Sequence, residues 1–99
     1  MKLTESQKKY LRGLGHRLKP VITVADAGLS ESLLKEFEST IAHHELIKVR
    51  IRASDRAERD AVLSELCTLG TAELITRIGN VALLFRPNKE KPRIVLPRN

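Results

Sequence analysis

Residues Leu46-Ile47-Lys48-Val49-Arg50-Ile51-Arg52 alternate between apolar and cationic side chains from Ile47 onward. Successive side chains of a strand point to opposite faces, so Ile47, Val49 and Ile51 share one face and Lys48, Arg50 and Arg52 the other. This is the clearest strand in the chain. It demands a sheet with one buried face, and it leaves a row of cations on the other. The 99 residues suffice for one core and not for two, so residues 1–99 read as a single domain.

The segments on either side fit an α/β layout. Thr4 and Gln7 form a capping-box pattern, which predicts a helix starting near Glu5 with an apolar stripe at Leu11, Leu14 and Leu18. Gly13 and Gly15 weaken its second half, and Pro20 ends it. Val21-Ile22-Thr23-Val24 is short and β-branched, as expected of a strand covered on both faces or central in the sheet. Ala25–Gly28 reads as a turn, and Ser30 as the N-cap of a second helix that buries Leu33, Leu34, Phe37 and Ile41. Asp55 and Glu58 open a third helix, with Ala61, Val62, Leu63, Leu66, Cys67 and Leu69 inward and Gly70 as its stop. Strands follow at 72–78 and 81–86, joined by Gly79-Asn80 as a hairpin turn. Residues 87–99 form a basic C-terminal tail, in which Ile94-Val95-Leu96 is an apolar patch able to dock.

The predicted order is αβαβαββ. The first two strands, joined through a helix, should be parallel neighbours or near neighbours with a right-handed crossover, and the last two should pair as a hairpin. The expected fold class is α/β: a four-stranded mixed sheet packed by helices, with part of one face open. Ile47, Val49 and Ile51 are expected to share a core with Leu33, Phe37, Leu66, Leu74 and Leu83.

Catalytic chemistry has no motif behind it. The chain holds no phosphate-binding Walker loop, dinucleotide fingerprint or nucleophile elbow, so no catalytic residue, cofactor or small-molecule substrate is expected. His43-His44-Glu45 is the only dense group of potential ligands. Adjacent helical residues point about 100° apart, so the two histidines do not readily grip one metal, and no metal site is expected. Cys67 on an apolar helical stripe reads as a buried, inert thiol. No apolar run is long enough to cross a membrane, and the N-terminus lacks the apolar stretch of a signal peptide. A cytoplasmic location is expected.

Charge is more informative. The net charge is +6, and it is segregated. Residues 1–20 carry six cations against one anion, residues 77–99 again six against one, and residues 21–76 six against ten. Basic ends either keep a protein soluble or form the footprint for a polyanion. The row at Lys48, Arg50 and Arg52 is either a solvated face or a set of phosphate contacts. Its alternate residues lie about 6.6 Å apart, close to the phosphate spacing of an extended nucleic-acid strand. Tyr10, Phe37 and Phe85 are the only aromatic residues, which argues against a base-stacking platform and for contact through backbone charge and shape. The Ala25–Gly28 turn is either plain or a phosphate site at a helix N-terminus, with Asp26 opposing an anion there.

Leu18-Lys19-Pro20-Val21, Gly28-Leu29, His43-His44-Glu45-Leu46-Ile47-Lys48-Val49, and Gly79 leading into Leu83-Leu84-Phe85-Arg86-Pro87 together resemble the YhbY-type CRM domain, a bacterial RNA-binding, ribosome-assembly family. The resemblance covers almost the whole chain. It implies helices against a four-stranded sheet, like the C-terminal domain of a translation initiation factor. It implies RNA as the partner, with stand-alone bacterial members linked to precursors of the large ribosomal subunit. Members often carry a GxxG loop before the second helix. The matching positions here read Ala25-Asp26-Ala27-Gly28, with the first glycine replaced and an acid inserted, so nearby basic side chains should carry more of the binding. The expected RNA-binding residues are Lys8, Lys9, Arg12, Lys19, Gly28, Lys48, Arg50, Arg77 and Arg86, with Arg77 and Arg86 acting together beside the Gly79 hairpin. The alternative is an adaptor that holds an acidic ribosomal protein or assembly factor.

Overall fold

A computed structural model describes residues 2–25 and 28–98. Its elements are α1 (Glu5–Gly15), β1 (Pro20–Val24), α2 (Glu31–His44), β2 (Leu46–Ile51), α3 (Arg56–Gly70), β3 (Glu73–Ile78) and β4 (Val81–Phe85). The strands form one sheet in the order β1-β2-β4-β3. β1 runs parallel to β2, and β4 pairs antiparallel with both β2 and β3. This is the expected αβαβαββ fold. The helix starts follow the predicted caps. Thr4 and Gln7 bond reciprocally, Ser30 Oγ accepts from Leu33 N, and Asp55 Oδ1 accepts from Glu58 N. Each satisfies backbone N–H groups that a helix end leaves free.

The alternation on β2 and β4 creates a core on each side of the sheet. Ile47, Val49 and Ile51 join Ala82 and Leu84 on the side covered by α2 and α3, where Phe37, Ile41, Leu63 and Leu66 close the layer. Leu46, Leu83 and Phe85 face the other way and meet Leu3, Leu11 and Ile75, with Ile94 and Leu96 of the tail packed alongside. The 94–96 patch therefore docks as expected, although Val95 points to solvent. The expected core is divided: Leu83 belongs to the second cluster, opposite Val49. Leu74 is exposed.

Two glycines act through missing side chains. A Cβ at Gly15 would come within 2.7 Å of Leu83 Cδ1, so α1 reaches the sheet closely only with glycine there. Leu11 and Gly15 make that contact, whereas Leu14 and Leu18 are exposed; the predicted three-leucine stripe is not the buried face. The helix also ends at Gly15, before Pro20. α3 does end at Gly70, but Gly70 does not take the left-handed cap. It is a buried helical residue against which the Phe37 ring packs, and Thr71 takes the left-handed cap at φ 52°. Ala61 and Leu69 of the same helix face solvent.

The first strand departs from expectation. β1 is an edge strand with Ile22 and Val24 buried and Val21 and Thr23 exposed, not a strand covered on both faces. A short apolar run does not distinguish an edge strand from a central one.

Candidate nucleic-acid interface

α1 covers only one end of its side of the sheet. Leu11 and Gly15 sit over the end marked by Leu46, Leu83 and Phe85, and the other end stays open. There a groove of about 290 Å³ is lined by Pro20, Lys48, Arg50, Thr76, Ile78, Val81 and Leu83. It adjoins a depression of about 250 Å³ that Arg12, Gly15 and His16 border, and the two share Lys48, Thr76, Ile78 and Leu83. Thr76 reaches this face because the β3–β4 register shifts between Leu74 and Thr76, which turns Ile75 and Thr76 toward the same side.

The electrostatics of this surface are one-sided. Among the described residues no carboxylate lines either depression. Among the described residues Arg12, Lys48 and Arg50 enter no ion pair. Lys48 lies opposite Pro20 and Arg50 opposite Thr23, and the next cation, Arg52, donates its backbone N–H to Val24 O at 2.8 Å. Cations at alternate positions thus lead from α1 toward the β1–α2 connection. Two roomier depressions beside α3, of about 420 and 440 Å³, both include Glu73, and the first also includes Asp60. Those carboxylates repel a polyanion.

The remaining expected site residues are dispersed. Lys9 borders a separate depression with Tyr10, Gly13, Leu14 and Pro97. Lys8 is half-buried on α1, and Lys19 is exposed just before β1. Gly28 has φ 74° and donates its N–H to Ala25 O at 2.9 Å, ahead of α2. Asp26, whose charge was expected to oppose an anion, lies outside the described residues.

Arg77 and Arg86 are not both beside the Gly79 hairpin as expected. Arg77 sits opposite Ala82, near the hairpin, whereas Arg86 follows Phe85 at the far end of β4. Both belong to the α2–α3 side, away from Lys48. Arg77 pairs with Asp60 at 3.3 Å and donates to Gly79 O at 2.8 Å. Arg86 forms two bonds to the Glu38 carboxylate, at 2.7 and 2.6 Å, and a third to Gly70 O at 2.9 Å. Partners far along the sequence have already claimed both guanidinium groups, so they tie helices to the sheet.

The hydrogen bonds from Arg86 hold the Glu38 carboxyl below its ordinary value of 4.5. The folded protein therefore binds less proton at Glu38 than the unfolded chain does. The resulting stability is complete above the ordinary carboxylate value and is lost as pH falls through the lower folded value. Glu38 is 59% exposed, and solvent screening limits the pair to about 1 kcal/mol or less. Glu38→Gln should melt a few degrees lower at neutral pH, and the gap should close as the solution is acidified below that range. A gap that persists in acid would show that the pair contributes no pH dependence.

One important residue carries no signal in the sequence. Glu45 is 1% exposed, and its carboxylate organises the tail. It accepts from Asn88 N at 2.6 Å, Arg93 N at 2.7 Å and Ile94 N at 2.8 Å. Its backbone sits at φ 66°, ψ −42°, a conformation that a residue with a side chain rarely adopts. The histidines beside it are exposed and contact each other edge-on. Cys67 is half-buried rather than buried, and burial, with a smaller contribution from Glu73, pushes its thiol up.

Known proteins are similar to this chain in sequence and fold. A protein of Pseudomonas aeruginosa named probable RNA-binding protein is 46% identical over 88 residues, covering 89% of this chain and 85% of its own. An RNA-binding protein of Haemophilus influenzae is 38% identical over 96 residues, covering 97% and 96%. The solution structure of a hypothetical protein from Staphylococcus aureus, described as a candidate RNA-binding protein, superposes with a TM-score of 0.81 at 31% identity, covering 97% of this chain and all of that one. The family model of the CRS1/YhbY (CRM) domain matches residues 3–86, from the first core residue of the N-terminal segment to the arginine that ends the sheet. With that match across both cores, and the fold shared with its relatives, this chain belongs to the CRS1/YhbY (CRM) domain family.

Proposed function

We propose that this protein is a non-catalytic RNA-binding domain that docks on structured ribosomal RNA in the cytoplasm and assists assembly of the large ribosomal subunit. The observation that carries the reading is the open sheet face, where, among the described residues, Arg12, Lys48 and Arg50 stand without ion-pair partners and no carboxylate lines the groove. A polyanion gains there without displacing an internal partner. Lys8, Lys9 and Lys19 extend the positive region along α1 and into β1. Gly28, at φ 74° before α2, lets a backbone approach closely. Family membership and relatives named for RNA binding support RNA as the ligand, and the large ribosomal subunit is what the resemblance of the sequence implies.

Such contacts release counterions, so affinity should fall steeply with salt. For about five phosphates, log affinity against log salt should have a slope of roughly −3.5 to −4.5. The test is titration of the purified protein alone with large-subunit precursor RNA across a salt series. A slope near zero would refute the reading and favour an adaptor that needs an acidic protein partner. Crosslinking in cells followed by sequencing of the attached RNA should recover large-subunit precursors; reads confined to other transcripts would refute the ribosomal assignment.

A further inference from the structure

We propose that the open groove receives an unpaired nucleobase of the bound RNA, laid against Leu83, Val81 and Ile78 while Lys48 and Arg50 hold the adjoining phosphates. This deepens the RNA-binding reading and rests on it. The solvent face of a strand pair ordinarily carries polar side chains. Here β3 and β4 place Ile78, 78% exposed, and Val81 beside buried Leu83, with Pro20 on the far wall. The result is an aliphatic shelf between cations.

A duplex hides its base faces in its own stack and presents phosphates and sugars, so it has no use for such a shelf. An unpaired nucleotide carries an apolar ring and an anionic phosphate, the two chemistries that this groove pairs. No aromatic residue lines it, so the base is held by aliphatic contact and excluded water rather than by ring stacking. That contact is tolerant of base identity. The groove therefore favours an unpaired position in a structured RNA over a particular sequence, and Arg12 at its border is placed to meet the phosphate of a neighbouring helix.

Ile78→Gln tests this, because a side chain so exposed tolerates a polar replacement of similar length. Melting confirms that the variant is folded. Its affinity is measured for an unstructured oligoribonucleotide and for a blunt RNA duplex of equal length. Affinity for the unpaired RNA should fall about three- to tenfold, from loss of apolar contact, while duplex affinity stays within about twofold and the salt slope is unchanged. Equal weakening for both RNAs, or no change for either, overturns the proposal. So does a variant that loses binding to anionic phospholipid vesicles but keeps its RNA affinity, since the shelf would then face lipid. Lys48→Gln with Arg50→Gln, measured in parallel, separates the two levels. If that pair weakens both RNAs and Ile78→Gln weakens neither, the base site fails and the RNA-binding reading stands. If the cation pair changes nothing, the reading beneath it fails as well.

Discussion

Glu45→Ala is expected to remove about 2–4 kcal/mol of stability, although it deletes no apolar packing. Three backbone N–H groups, from Asn88, Arg93 and Ile94, share the two carboxylate oxygens. Left buried without an acceptor, each would cost about 1–3 kcal/mol. The tail escapes that cost by detaching, and then the loss is that of its docking: the charge-assisted bonds and the burial of Ile94 and Leu96 against Leu3, Leu11 and Phe85. For a chain of this size the corresponding drop in Tm is about 10–25 °C. Glu45→Gln should fall between, since one oxygen remains to accept while the amide N–H₂ opposes a backbone donor. Amide hydrogen exchange locates the effect: in the alanine variant Arg93 and Ile94 should lose protection altogether, while Val49 and Leu84 lose only as much as the fall in global stability requires. A change in Tm of less than about 3 °C, with the tail still protected, would contradict this role for Glu45.

Local signals were legible where local physics decides. The three N-caps, the alternation on β2 and the Gly79-Asn80 turn each involve residues within a few positions of one another, and each structure follows its pattern. What escaped the sequence lies in long-range partnership. Glu45 is indistinguishable from any helix-end acid until residues 43 to 49 positions later fold back onto it. Arg86 looked as available as Lys48, but Glu38, 48 positions earlier, holds it. α3 ends at Gly70 as its pattern suggests, but the need for glycine there comes from the Phe37 ring across the helix pair. The candidate site was half legible for the same reason. The parity of Lys48 and Arg50 follows from the strand, whereas their freedom from carboxylates depends on which helix covers which end of the sheet.

That coverage makes the two sheet faces unequal for binding, and Lys48→Gln with Arg50→Gln should lower RNA affinity about ten- to fiftyfold near physiological salt. Two lost phosphate contacts should also flatten the salt slope by about 1.4–1.8. Because phosphates carry no base identity, unrelated RNAs should weaken by similar factors. Tm should hardly move, since neither side chain enters an ion pair among the described residues.

Loss of charge alone does not establish which face binds. Lys35→Gln with Arg56→Gln removes the same two charges from α2 and α3, where both side chains are exposed and each faces a carboxylate on its own helix. The decisive measurement is the affinity of the two double variants for one large-subunit precursor RNA, at one salt concentration, side by side. The open-face pair should lose about ten- to fiftyfold while the helix-face pair stays within about threefold. Equal losses from the two pairs would contradict the assignment of RNA to the open face of the sheet.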